Sequence, residues 1–170
     1  MAEPKVIQVD PGGDVILICG DTSQAAGAAT SIRVSSAILN YASPVFRAMF
    51  SKRFKEGNQL AASSKIEVPL PDDDPENMQI LCHVIHMQHA AASPPTSPQQ
   101  ILRLAEMCDK YDCTKAITAS AGEWIADNLR HADNAKRGLL LPFRQHFNHY
   151  PGGSRYDPAL NLTRYVQRTV

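Results

Sequence analysis

One device opens three helices in this chain. At Ser43-Pro44, Asp74-Pro75 and Ser97-Pro98 a short polar residue stands before a proline, and an apolar run of helical period follows. Proline suits the first helical position because its missing N–H would have found no partner there and its fixed φ already matches the helix. The serine or aspartate before it offers an oxygen to the free amides of the first turn. Ser97 also has Gln100 three residues on, the spacing of a reciprocal capping box. Behind these starts, Val45, Phe46, Met49 and Phe50, then Met78, Leu81, Val84 and Ile85, then Ile101, Leu104, Ala105 and Cys108 each mark one helical face. A fourth stripe, Ile117, Ala121, Trp124, Ile125 and Leu129, resumes after a break at residues 112–114.

The strands are fewer and lie toward the amino end. The turn "DPGGD" (10–14) leads into Val15-Ile16-Leu17-Ile18-Cys19, a short apolar run closed by Gly20, which reads as a buried strand. A small, polar loop over 20–30 joins it to a second strand at Ile32-Arg33-Val34, a hairpin with a long connection. "KIEVPL" (65–70) alternates Ile66, Val68 and Leu70 on one face, as a third strand packed on one side would. The expected fold is therefore mixed, α+β, with a small three-stranded sheet flanked by helices and a helix-rich carboxy-terminal half. With 170 residues, 44% of them apolar, one core suffices. "AAASPPTSP" (90–98) is the loop of the body richest in proline and small residues. Residues 1–13 read as a short extension, 14–130 as the domain and 131–170 as a basic tail. The tail's stretch Phe143, Phe147 and Tyr150 could share a face of a short helix.

Several chemistries find no support in the residues. Lysine plus arginine and aspartate plus glutamate both number 17, which argues against a dedicated nucleic-acid or membrane-surface protein. Up to Arg130 there are 11 basic and 15 acidic residues, net −4; beyond it 6 and 2, net +4. No apolar run has the roughly 20 residues a membrane helix needs. Cys19, Cys82, Cys108 and Cys113 are unevenly spaced and read as free thiols of an intracellular protein, in the cytoplasm or nucleus. Cys82, His83, His86 and His89 are the nearest approach to a metal set, but His83 points about 100 degrees away from Cys82 along a helix, and no paired ligand spacing appears. "DDD" (72–74) lacks the glycine and glutamate of a calcium loop and is better placed to cap the helix at Pro75. There is no nucleophile elbow and no phosphate-binding glycine motif, so neither catalysis, a cofactor nor a metal is expected.

The order of elements resembles the BTB/POZ family over about residues 14–129. The resemblance lies in "DVILICG", in "IRVSSAILNYASPVFRAMFSKRFKEG", in "IEVPLPDDDPENMQILCHVIH" and in "LRLAEMCDKYDCTKAI". Its most specific parts are Leu39, Ser43, Pro44, Phe46, Met49 and Phe50 in their spacing, and Asp109-Lys110-Tyr111. The chain departs from the family at Ser35, where a histidine is common, and at "HMQHA" (86–90). It carries neither zinc fingers nor kelch repeats, and little precedes Asp14, so exchange of an amino-terminal strand between copies is not implied. The resemblance implies a non-catalytic interaction module with protein partners, either a second copy of itself or a cullin scaffold of a ubiquitin ligase. For such contacts the partner-binding candidates are Lys52, Arg53, Phe54 and Lys55: an aromatic among cations, just past the end of the helix that starts at Pro44. The alternative is a nucleic-acid-associated regulator whose basic tail touches phosphates.

Overall fold

The computed structural model describes residues 6–20 and 29–131. The basic tail, with Phe143, Phe147 and Tyr150, lies outside the described residues, as does most of the 20–30 loop. Among the described residues the order is β1 (Val6–Gln8), β2 (Val15–Cys19), β3 (Thr30–Val34), α1 (Ser36–Ala42), α2 (Pro44–Met49), α3 (Lys55–Ala62), β4 (Ile66–Leu70), α4 (Pro75–Ile85), α5 (Pro98–Lys110) and α6 (Thr114–His131).

The sheet has four strands rather than three, in the order β1-β3-β2-β4. β2 and β3 form the expected antiparallel hairpin, with Leu17 opposite Ile32, and β4 joins β2 in parallel, with Val68 opposite Leu17. The additional strand, β1, lies within the segment read as an amino-terminal extension. It runs parallel to β3 with Ile7 opposite Ile32. Three residues are too few to show an alternation, so only the pairing reveals it. Val9, just after it, is fully buried, and Gln88 Nε2 donates to its carbonyl at 2.6 Å.

All three proline starts form as their residues dictate. Ser43 Oγ accepts from the Phe46 N–H, Asp74 Oδ1 from the Asn77 N–H and Ser97 Oγ from the Gln100 N–H. The apolar stripes behind them are buried, from Val45, Phe46 and Met49 through Met78, Leu81 and Val84 to Ile101, Leu104 and Cys108. Together with the inward faces of β2, β3 and β4 they make one core. Phe46 stacks on Tyr111 with ring centroids 4.4 Å apart. Ser43 ends α1 and begins α2, and its hydroxyl also donates to the Tyr111 carbonyl, so the corner between the two helices is tied to the end of α5.

α1 lacks a cap of its own. Its N-cap, Ser35, makes no side-chain bond, and the first amides are satisfied from elsewhere. Asp14 accepts from both the N–H and the hydroxyl of Ser36, and the Ser35 N–H donates to His86 Nε2 at 3.1 Å. The other ring nitrogen of His86 donates to the Cys82 carbonyl at 2.8 Å. These two bonds require a neutral ring with its proton on Nδ1.

α4 and α5 both end in the two-bond motif that turns a chain out of a helix. Gln88 N–H reaches the His83 carbonyl and Met87 N–H that of Val84; Cys113 N–H reaches Cys108 and Asp112 N–H reaches Asp109. The left-handed residue each motif needs is Met87, at φ 61, and Asp112, at φ 47.

Candidate functional site

The turn between α2 and α3 is built around a close backbone approach. Phe50 N–H closes α2 on the Phe46 carbonyl, and Phe54 N–H then donates to the Ser51 carbonyl at 3.1 Å. α3 follows at once, with Asn58 donating to the Phe54 carbonyl through its N–H at 3.2 Å and its Nδ2 at 3.0 Å. Gly57 makes this possible. A Cβ there would lie 2.0 Å from the Ser51 carbonyl oxygen, so only glycine lets α3 start against the end of α2.

On this fixed turn Lys52, Arg53 and Lys55 are exposed and Phe54 is half-buried. Phe54 does not pack against the core. Among the described residues the ion pairs join Lys110 to Asp73 and Arg130 to Asp127, and none of the three cations takes part in one. The placement of Lys55 is informative. Lys52 and Arg53 follow the carboxy end of α2, where a cation is favoured, but Lys55 is the first residue of α3, where the positive pole of the helix disfavours it. Phe54, the N-cap of α3, supplies no side-chain cap. Neither residue is what helix stability alone would select.

Two further apolar side chains stand out on α1. Tyr41 is 89% exposed and Ile38 37%, three residues apart on the face opposite buried Leu39. Sequence reasoning passed over them, although the same helical spacing that marks Leu39 as buried puts them outside.

The other clusters are structural. His83 Nδ1 lies 3.0 Å from Gln88 Oε1, His86 bridges Cys82 to Ser35, and His89 Nδ1 lies 3.0 Å from Ser120 Oγ, so the three histidines turn to different partners. Among the described residues no three histidine, cysteine or acidic side chains gather as a metal would require. All four cysteines are free and buried. Burial, with the nearby charge of Asp73 adding to it, pushes the Cys19 thiol up to about 12. Burial raises Cys82 as well, and a hydrogen bond with Cys113 followed by burial raises Cys108. Thiols held neutral in this way pack as apolar groups rather than act as nucleophiles.

The acidic run divides its work. Asp74 caps α4, as its position suggests, but Asp73 is buried and accepts from Lys110 Nζ at 2.8 Å and from Tyr111 OH at 2.6 Å. The Asp109-Lys110-Tyr111 motif thus owes part of its form to a carboxylate distant in sequence but in direct contact with Lys110 and Tyr111. No helix of the described residues is long and apolar enough to cross a membrane.

A small mixed sheet with helical hairpins on it defines an α+β domain. The family model described as BTB/POZ domain matches residues 12–123, most of the chain, and the chain belongs to that family. No curated protein matches the sequence. BTB/POZ domains are protein–protein interaction modules, and the fold places this chain among them.

Proposed function

We propose that this domain works by self-association, by recruiting a cullin scaffold, or by both, and that Phe54 with Lys52, Arg53 and Lys55 forms the surface that engages the scaffold. The observation that carries the proposal is the combination on the α2–α3 turn of a half-buried aromatic, free of the core, with three exposed cations outside any ion pair among the described residues. An aromatic that can finish its burial in a partner's pocket, surrounded by a polar rim, is the arrangement that concentrates binding energy. The backbone beneath it is already fixed by Gly57 and Ser51, which lowers the ordering cost of binding.

Self-association is carried by a different surface. Ile38 and Tyr41 give α1 an exposed apolar pair, suited to a second copy of the chain. Light scattering of the full chain, alone and mixed with a cullin scaffold, tests both readings. Phe54→Ala is expected to weaken the scaffold complex and leave self-association intact, and Tyr41→Ala to do the reverse. A strict monomer that ignores the scaffold would remove the support for both.

A further inference from the structure

We propose that Ser93, exposed in the connection between α4 and α5, is a phosphorylation site for a proline-directed protein kinase. The chain holds three Ser-Pro steps, at 43–44, 93–94 and 97–98, and the fold uses two of them. Ser43 is fully buried, with its Oγ accepting from the Phe46 N–H at 3.1 Å and donating to the Tyr111 carbonyl. Ser97 Oγ accepts from the Gln100 N–H at 3.2 Å and opens α5. Ser93 and Pro94 are both exposed, and the Ser93 hydroxyl makes no hydrogen bond among the described residues.

The backbone around Ser93 suits the reaction too. Residues 93–96 make no backbone–backbone hydrogen bond among the described residues, and the Thr96 N–H donates to Gln100 Oε1 at 2.9 Å, so the bonds that open for the segment to enter a kinase cleft are to side chains. The segment is held to α6 on both sides of Ser93. His89 Nδ1 lies 3.0 Å from Ser120 Oγ, and Asn128 Nδ2 donates to the Pro95 carbonyl at 3.1 Å. Pro94 supplies the residue without an N–H that a proline-directed site selects next to its acceptor.

In the transfer, Ser93 Oγ bonds to the γ-phosphorus of a nucleoside triphosphate while the bond to the leaving nucleoside diphosphate breaks. The hydroxyl proton passes to the catalytic aspartate of the kinase. The product adds about −1.5 to −2 of charge and three strong acceptor oxygens at an exposed serine whose segment is anchored by buried Ala92 and Pro95. A phosphoserine so displayed suits a reader that grips it with paired arginine donors. This site is independent of the 52–55 surface.

The test incubates the full chain with a proline-directed kinase and ATP–magnesium and maps the phosphate by mass spectrometry. Synthetic peptides over 37–49 and 88–102 serve as unfolded substrates. The expected result is phosphate on Ser93 of the folded chain and none there in Ser93→Ala. Ser43 should be modified at least about a thousandfold more slowly than in its peptide, because only an opened molecule exposes it. The proposal is overturned if proline-directed kinases refuse Ser93 in the 88–102 peptide, or accept it there but leave it unmodified in the folded chain. It is equally overturned if the folded chain takes phosphate on Ser43 or Ser97 as fast as on Ser93.

Discussion

Replacing Gly57 with alanine sets two effects of opposite sign against each other on the turn that carries Phe54. Helix propensity favours the change: within a helix, alanine is better than glycine by about 1 kcal/mol. The geometry opposes it. The new Cβ would start 2.0 Å from the Ser51 carbonyl oxygen, and ordinary contact begins near 3.4 Å, so the two backbones must part by 3.4 − 2.0 = 1.4 Å. Backbone, unlike the tip of a flexible side chain, cannot swing aside, and forced overpacking of this kind costs about 1–3 kcal/mol. The same carbonyl accepts the Phe54 N–H at 3.1 Å, so moving it loses a hydrogen bond worth about 0.5–1.5 kcal/mol. Against a gain of about 1 kcal/mol, the net expectation is a loss of roughly 1–3 kcal/mol. At this chain length that lowers Tm by about 2–12 °C. Urea denaturation with the slope m held in common measures it, and scaffold binding should weaken as well, since Phe54 is re-aimed. A Gly57→Ala variant as stable as the parent would show that the Ser51–Gly57 approach is looser than described and that propensity decides.

Three other outcomes follow from the same structure. Tyr111→Phe should lose about 1.5–3 kcal/mol by removing the donor to buried Asp73, and Asp73→Ala should lose more by stranding the Tyr111 hydroxyl, both read by chemical denaturation; equal, negligible losses would contradict the network. Met87→Gly should gain about 0.5–1 kcal/mol, because an exposed methionine at φ 61 gives up little packing and glycine takes that conformation freely; a loss would mean its side chain packs. His86 is held below its ordinary range chiefly by burial, with His83 acting in the same direction and Asp10 and the bond to the Cys82 carbonyl opposing. The unfolded chain, with histidine near 6.5, therefore binds a proton that the folded one refuses, so stability is full above about pH 6.5 and falls as pH drops toward the folded value. Thermal melts between pH 7.5 and 5 should show that decline, and His86→Gln should flatten it.

What could be read in the residues was mostly local. A cap, a proline and an apolar stripe lie within a dozen positions of one another, so the starts of α2, α4 and α5 needed no tertiary information. α3 was missed because Leu60 is the one large apolar residue in "KEGNQLAA", leaving no stripe to detect. The sequence accordingly places the cations at 52–55 just past the end of one helix, whereas Lys55 begins another. β1 escaped because three residues show no period. Asp73 was hidden for a different reason: its partners Lys110 and Tyr111 lie 37 and 38 positions away, and the sequence offers no local trace of such a bond. Gly57 was visible as a residue, but its role depends on a carbonyl six positions earlier that only the folded turn brings near. The exposure of Tyr41 was legible from helical spacing, had α1 been phased on Leu39.

The proposal that the α2–α3 turn engages a partner stands or falls on an equilibrium titration of a cullin scaffold with the parent chain and with Phe54→Ala. Phe54 is half-buried and apart from the core, so its truncation should cost about 1 kcal/mol of stability or less. The expected result is a complex with the parent and one at least about tenfold weaker with the variant at unchanged fold, as for an interface hot spot. A variant that binds as the parent does, or a parent that forms no complex, contradicts it.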